Sequence, residues 1–254
     1  MVGIDLSGKV ALVTGASRGL GRAAAVALAR AGADVAVNFL KNRRAAAAVT
    51  ATCRKYGAQA FAVRADVASA AQVRRMFELV VRRFGRLDIL VANAGIWKEA
   101  PIDRMTDRQI EEMLGTNVRG VFYCCREASR IMVSQRSGRI VLVSSTAGQR
   151  GEPLHSHYAA SKGAVISLTK SLAPELAQYG VLVNCIAPGW FATDMSRSTM
   201  TRPARRRAVL QTIPLGRIGR PDEFAGAVLF LCSDLATFVT GEILNVNGGA
   251  VLCG

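Results

Sequence analysis

Seven short apolar runs, rich in β-branched residues, alternate with helix-forming stretches along this chain, and that alternation limits its fold more than any other feature. The runs are KVALVT (9–14), ADVAVNF (33–39), AQAFAVRADV (58–67), LDILVANAG (87–95), GRIVLVSS (138–145), VLVNCIAPG (181–189) and GEILNVNGG (241–249). Strands that are apolar throughout belong to parallel sheets covered on both sides by helices. No linker, internal repeat or composition break interrupts the 254 residues. The pattern predicts one α/β domain over 1–254, a doubly wound seven-stranded parallel sheet with helices on both faces. The stretches 70–84 and about 107–133 are expected to be helices, as is the apolar run around Tyr158.

Half of the residues are hydrophobic and 20% are charged, a globular composition. No run of eighteen apolar residues occurs, and the N-terminal segment passes into the first strand without a signal-peptide pattern, so a cytoplasmic protein that spans no membrane is expected. The six cysteines, at 53, 124, 125, 185, 232 and 253, show neither CxxC nor Cys/His metal spacing. They read as reduced, packed thiols, and no metal site is expected. The net charge is +15, from 33 Lys and Arg against 18 Asp and Glu. Such an excess favours anionic partners without choosing among them. A solvated arginine surface explains it equally well, and no helix-turn-helix, zinc module or aromatic RNA platform supports nucleic acid.

The first apolar run is followed by Gly15-Ala16-Ser17-Arg18-Gly19-Leu20-Gly21 and an alanine-rich helix. Strand, glycine turn and helix is the Rossmann-type layout in which backbone N–H groups and a helix N-terminus receive a pyrophosphate. The second run ends Asn38-Phe39-Leu40-Lys41, without the carboxylate that an NAD-preferring site places on the ribose 2′-hydroxyl. Arg43 and Arg44 follow, and Arg18 lies in the glycine turn. This positive field favours NADP(H), with NAD(H) left open.

Tyr158 and Lys162 stand four residues apart, on one face of a helix. A phenol is a poor acid or base near neutrality, and a neighbouring ammonium is expected to draw its pKa down. Ser145, at the end of the fifth apolar run, could hold a carbonyl oxygen at the same place. Tyr-x-x-x-Lys alone is common on ordinary helices. Its company decides the matter.

Thr14-Gly15-Ala-Ser-Arg-Gly19-Leu-Gly21, Asp66-Val67, Asn93-Ala94-Gly95, Asn117, Ser145, Tyr158-Ala-Ala-Ser-Lys162 and Pro188-Gly189 together resemble the short-chain dehydrogenase/reductases, from about residue 5 to 250. The resemblance implies that Tyr158 donates the proton, Ser145 binds the substrate carbonyl, and Lys162 binds the nicotinamide ribose. Asn117 would hold a water linking Lys162 to solvent. It also places Gly15, Ser17, Arg18, Gly19, Leu20, Gly21, Asn38, Asp66, Val67, Asn93, Ala94, Gly95, Pro188, Gly189 and Thr193 at the cofactor. Within the family the chain is most similar to 3-oxoacyl-[acyl-carrier-protein] reductases, through ASRGLGR, PLGRIGRPDE at 214–223 and the Val-Asn-Gly-Gly ending. That likeness implies an NADPH-dependent reduction of a 3-oxoacyl thioester on an acidic carrier or coenzyme A, and a homotetramer. The contacts expected are paired helices around 107–133 and 159–178 and the C-terminal segment, whose apolar ending AVLCG fits burial. Arg136 matches a basic carrier-docking position, whereas Tyr179 stands where a second is usual. Asn247 replaces a more usual Asp.

Residues 190–213 lie where the family carries a mobile substrate lid, here made basic by Arg197, Arg202, Arg205, Arg206 and Arg207. His155, His157 and Trp190 are specificity candidates; neither histidine shows a carboxylate partner in the sequence. The rival readings are a general carbonyl reductase or secondary-alcohol, sugar or polyol dehydrogenase with the same residues, and, more remotely, a non-catalytic binding protein that uses the basic surface.

Overall fold

The computed structural model describes residues 3–253. The first half runs β1 (Val10–Val13), α1 (Gly19–Arg30), β2 (Asp34–Phe39), α2 (Arg43–Arg54), β3 (Ala60–Arg64), α3 (Ala70–Phe84) and β4 (Ile89–Ala92). Then come α4 (Asp107–Leu114), a π-helical turn (Gly115–Arg119), α5 (Gly120–Gln135), β5 (Gly138–Val143), α6 (Thr146–Arg150), α7 (Ser156–Ala177) and β6 (Val181–Pro188). The chain closes with α8 (Arg197–Met200), α9 (Pro203–Gln211), α10 (Pro221–Cys232) and β7 (Ile243–Val246). All seven strands are parallel, in the order β3-β2-β1-β4-β5-β6-β7. The winding reverses between β1 and β4, so the crevice beyond their C-terminal ends is where such sheets bind ligands.

Successive strand side chains point to opposite faces. Ala11, Val13, Val35 and Val91 pack with Leu28 of α1, Val49 of α2 and Phe224 of α10. Leu12, Ala36, Leu90 and Ile140 pack with Phe77 of α3, Met132 of α5 and Val165 of α7. Both faces of the sheet are therefore dry, which is why its strands read as unbroken apolar runs. Helix α3 has the expected bounds: the Ser69 hydroxyl accepts from the Gln72 N–H at its start, and Gly85, at φ 77°, ends it.

The stretch expected as one helix around 107–133 is divided. Thr106 and Gln109 form a capping box that opens α4, and the π turn then widens the rod. Asn117, fully buried, sits in that turn. The segment 190–213 forms α8 and α9, with Pro203 in the first turn of α9 and no residue of α9 in the core. A cavity of about 470 Å³ lies on this segment, lined by Met200, Pro203, Arg206, Arg207 and Leu210, apart from Tyr158. Asn247 organises the C-terminal turn, donating to the Val251 carbonyl and accepting from the Gly249 N–H. The first of these bonds needs an amide, which an Asp carboxylate could not supply. Val251 is buried while Leu252 is 89% exposed in the single chain, and Gly254 lies outside the described residues. The described cysteines are all free thiols, five of them buried. Among the described residues no helix is long and apolar enough to cross a membrane.

Candidate active site

The glycine turn is held by side chains from three strands. The Gly15 N–H donates to Asn38 Oδ1, and Asn38 Nδ2 donates to the carbonyls of Val63 and Ala65. Thr14 Oγ1 accepts from the N–H groups of Asn93 and Ala94, and Asn93 Nδ2 donates back to the Thr14 carbonyl. Gly15 takes φ 62°, and a Cβ there would lie 2.9 Å from Ala94 Cα. A Cβ on Gly21 would press on the Gly15 carbonyl at 2.7 Å. No other residue type leaves the backbone this open. Asn38, expected at the cofactor, has its side chain committed to backbone partners, so it shapes the turn rather than offering a free amide. Asn93 is committed in the same way.

The first turn of α1 carries no acidic residue, and its cap, the exposed Arg18, makes no side-chain bond to the helix. Unpaired N–H groups, a helix N-terminus and a free guanidinium fit a pyrophosphate-bearing dinucleotide. Ser17, Gly19 and Leu20 are half-buried around this point. Asp66 Oδ1 accepts from the Ala68 N–H, which leaves its second oxygen available, while Val67 is buried under Gly120. On the far side Pro188 ends β6, the Gly189 N–H donates to the Val246 carbonyl, and Thr193 lies over Gly19.

Three elements bring the expected catalytic groups together. Ser145 caps α6, accepting from the Ala147 N–H. Helix α6 lies so close to α7 that a Cβ on Gly148 would meet the Lys162 carbonyl carbon at 2.6 Å. Lys162 is fastened to the end of β5: its Nζ donates to the Val143 carbonyl at 2.8 Å, and its own carbonyl accepts from Ser144 Oγ at 2.8 Å. The Lys162 ammonium stands 5.9 Å from the centre of the Tyr158 ring. Asn117 uses its side chain as a brace, accepting from the Ile96 N–H and donating to the Ile96 carbonyl and to Ser161 Oγ. Ser161 Oγ in turn donates to the Tyr158 carbonyl. A Cβ added to Gly95 would lie 3.4 Å from both Asn117 Oδ1 and Lys162 Nζ.

Burial, rather than the expected effect of Lys162, sets the direction of the Tyr158 pKa. Burial pushes Tyr158 up to about 12; the Ser145 hydroxyl lowers it by less, and the charge of Glu152 raises it further. Burial pushes Lys162 down to about 8. Desolvation is the largest cause for both groups, the Ser145 hydroxyl opposing it at Tyr158 and the charge of Cys185 at Lys162. Burial thus favours the protonated phenol.

Trp97 and Glu152, which the sequence reading did not single out, join the specificity candidates His155 and Trp190 in one cluster. Trp97 stacks face to face on His155 with centroids 4.5 Å apart and meets Trp190 edge-on at 5.8 Å. Trp97 Nε1 donates to Glu152 Oε2 at 3.2 Å. Glu152 Oε1 lies 3.9 Å from His155 Nδ1, so His155 does have a carboxylate neighbour, three residues upstream. His157 is buried, and neither of its ring nitrogens meets a protein partner.

A family model described as enoyl-(acyl carrier protein) reductase matches residues 15–251. A 3-oxoacyl-[acyl-carrier-protein] reductase of Synechocystis sp. is 44% identical over 248 residues, 97% of this chain and 98% of that one. The chain belongs to the short-chain dehydrogenase/reductases. The reductase is an oxidoreductase of the CH–OH/C=O class, and its relatives support ketoreduction with a nicotinamide cofactor. Among solved structures, a provisionally named 2-deoxy-D-gluconate 3-dehydrogenase of Agrobacterium tumefaciens with bound NADP has a TM-score of 0.91 at 35% identity, covering 98% of this chain and 99% of that one. An NAD⁺-bound xylitol dehydrogenase has the same TM-score and identity, covering 96% and 99%. Equal likeness to an NADP and an NAD⁺ complex leaves the choice of coenzyme to local residues.

Proposed function

We propose that the reductase transfers hydride from NADPH to the 3-oxo group of an acyl thioester, with Tyr158 as proton donor. The observation that carries this reading is the convergence of Ser145, Tyr158 and Lys162 beside the glycine turn, in a chain 44% identical along nearly its whole length to a 3-oxoacyl-[acyl-carrier-protein] reductase. When bound, the nicotinamide supplies the hydride. Ser145 and Tyr158 hold the carbonyl oxygen from two sides, Tyr158 passes its proton to that oxygen as charge develops, and Lys162 stabilises the phenolate left behind. Asn117 and Gly95 border the space through which a water would resupply the proton.

NADPH is favoured by Arg18 and by the absence of any acid between Asn38 and Arg44. Replacing Arg18 with Ala is expected to weaken NADPH about 10–100-fold, as loss of a charge-assisted phosphate contact does. NADH should change by less than about threefold on the same argument. Fluorescence titration of both coenzymes checks it, and equal losses would remove the assignment.

An acidic carrier would meet the lid, the most basic exposed surface near the cleft. No acidic residue occurs between Asp194 and Asp222, and Arg206 and Arg207 line the lid cavity. Arg136 is exposed but donates to the Gln178 carbonyl, and Tyr179 packs into the core. Turnover of an acetoacetyl thioester on carrier protein and on coenzyme A tests this reading. Reversing the charge at Arg206→Glu and Arg207→Glu should lower kcat/KM for the carrier substrate about tenfold at low salt, more than for the coenzyme A substrate. No turnover of either thioester would favour the polyol or secondary-alcohol reading, which the dehydrogenases of the same fold keep in view. We infer in addition a cytoplasmic homotetramer. Exposed Phe122 on α5, together with exposed Leu252, supports contacts through the two expected faces.

A further inference from the structure

We propose that His155 is a specificity-determining residue that binds a second oxygen of the substrate, two or three bonds from the carbonyl that is reduced. The inference rests on the reading of Tyr158 as the proton donor, and it narrows the substrate class to hydroxy ketones and 3-oxoacyl compounds over simple ketones.

The imidazole is held along its Nδ1 edge and over one face. It is 7% exposed. Its Nδ1 lies 3.0 Å from the Pro153 carbonyl, an acceptor only, so Nδ1 carries a hydrogen and donates it. Glu152 stands on that same side at 3.9 Å. Trp97 covers one face of the ring and is itself held by Glu152 and by the edge of Trp190. These contacts set the tautomer and the plane of the ring, and none of them reaches Nε2. That nitrogen is buried and meets no protein donor or acceptor. Ring geometry directs it away from the 152–153 turn. Native proteins almost always satisfy a buried polar atom, because leaving it unpaired is costly.

The position also suits a substrate. His155 is the residue at which α7 begins, three positions before Tyr158. Trp97 joins the two: it stacks on His155 and packs against the cluster that contains Tyr158 and Ala147. A substrate oxygen held at Nε2 is thus an alcohol or carbonyl on a carbon adjacent to, or one removed from, the reacting centre. A neutral ring presents a lone pair there and takes a hydroxyl. A ring that carries hydrogen on both nitrogens presents N–H there and takes a thioester carbonyl. The shared chemistry is the second oxygen.

The test compares wild type, His155→Leu and His155→Gln on 2-pentanone, on 4-hydroxy-2-butanone and on an acetoacetyl N-acetylcysteamine thioester. His155→Leu is expected to lower kcat/KM at least about tenfold, chiefly through KM, for one or both dioxygenated substrates, with 2-pentanone held within about twofold and Gln restoring much of the loss. A loss confined to the hydroxy ketone identifies Nε2 as acceptor; one confined to the thioester identifies it as donor. Equal losses on all three substrates, or none on any, overturn the proposal. A second readout needs no turnover, because Trp97 and Trp190 are the only tryptophans of the chain. Titrating the NADP⁺-bound protein with 4-hydroxy-2-butanone or the thioester should change tryptophan emission in wild type and far less in His155→Leu; matching curves would overturn it. The two readings fail separately. Wild type that accepts the hydroxy ketone but no thioester ends the thioester function alone, and thioester turnover indifferent to His155 ends this inference alone.

Discussion

Tyr158→Phe is expected to lower the rate of carbonyl reduction by about 10²–10⁴-fold, the range that a positioned general acid supplies. The substitution removes only the hydroxyl. The ring keeps its packing against Ala147, Ile96 and Trp97, and the bond from Ser161 to the carbonyl of residue 158 is unaffected because it belongs to the backbone. Coenzyme affinity should therefore stay within about threefold, a separation that marks a group acting in the transition state rather than in ground-state binding. Stopped-flow reduction and coenzyme titration on one preparation measure both quantities. Substantial residual turnover would exclude Tyr158 as the donor. The direction of its pKa adds a second signature. Burial raises the phenol pKa, so a pH profile of reduction is expected to show no loss of rate from phenol ionisation near neutrality.

Asn38→Asp is the stability prediction with the largest effect, and it also bears on coenzyme choice. Asn38 is 2% exposed and donates to two backbone carbonyls. A carboxylate keeps the bond from the Gly15 N–H but turns an anionic oxygen towards those carbonyls. An uncompensated buried charge of this kind costs about 3–5 kcal/mol. For a chain of this size that corresponds to a fall in Tm on the order of 10 °C. The pH dependence has a definite sign. The introduced carboxyl has its folded pKa raised above the ordinary value, so the native state binds the extra proton and the variant loses stability as pH rises through that interval. The deficit against wild type should be smaller at pH 5 than at pH 8 in thermal unfolding. A deficit independent of pH would mean that the carboxylate finds a partner. Nor should the variant come to prefer NADH, since its new charge lies beneath the glycine turn.

The contrast between these two positions shows how far the sequence can be read. The strands are legible because a parallel sheet buried on both faces must be built from unbroken apolar runs; Leu12 and Val13 face different helices and are both apolar for that reason. Ser145, Tyr158 and Lys162 are legible because their spacing and their place at strand ends agree. The direction of the Tyr158 pKa is not, since desolvation depends on what closes over the ring. Asn38 stands at a position where a nucleotide contact is expected, and only the structure shows its amide joined to residues 23, 25 and 27 positions away. Trp97 and Glu152 escape for the same reason, being 55 residues apart. The π turn at Gly115–Arg119 leaves no mark in the helical pattern, because α4 and α5 continue one rod on either side of it.

The lid helix has a further consequence for how the reductase spends its time. Helix α9 contributes nothing to the core, and its Val209 and Leu210 are only half-buried. Across the cleft Arg205 reaches Glu99 at 3.8 Å, both side chains about half exposed, a pair of the kind that contributes about 0–1 kcal/mol. Beneath it, the sheet edge is fastened by buried bonds among β1, β2, β3 and β4. The molecule thus has two stiffnesses side by side: a floor that opens only with global unfolding, and a door whose amide hydrogens should exchange far sooner. If the proposed substrate enters beneath α9, little binding affinity would have to be diverted to moving that helix.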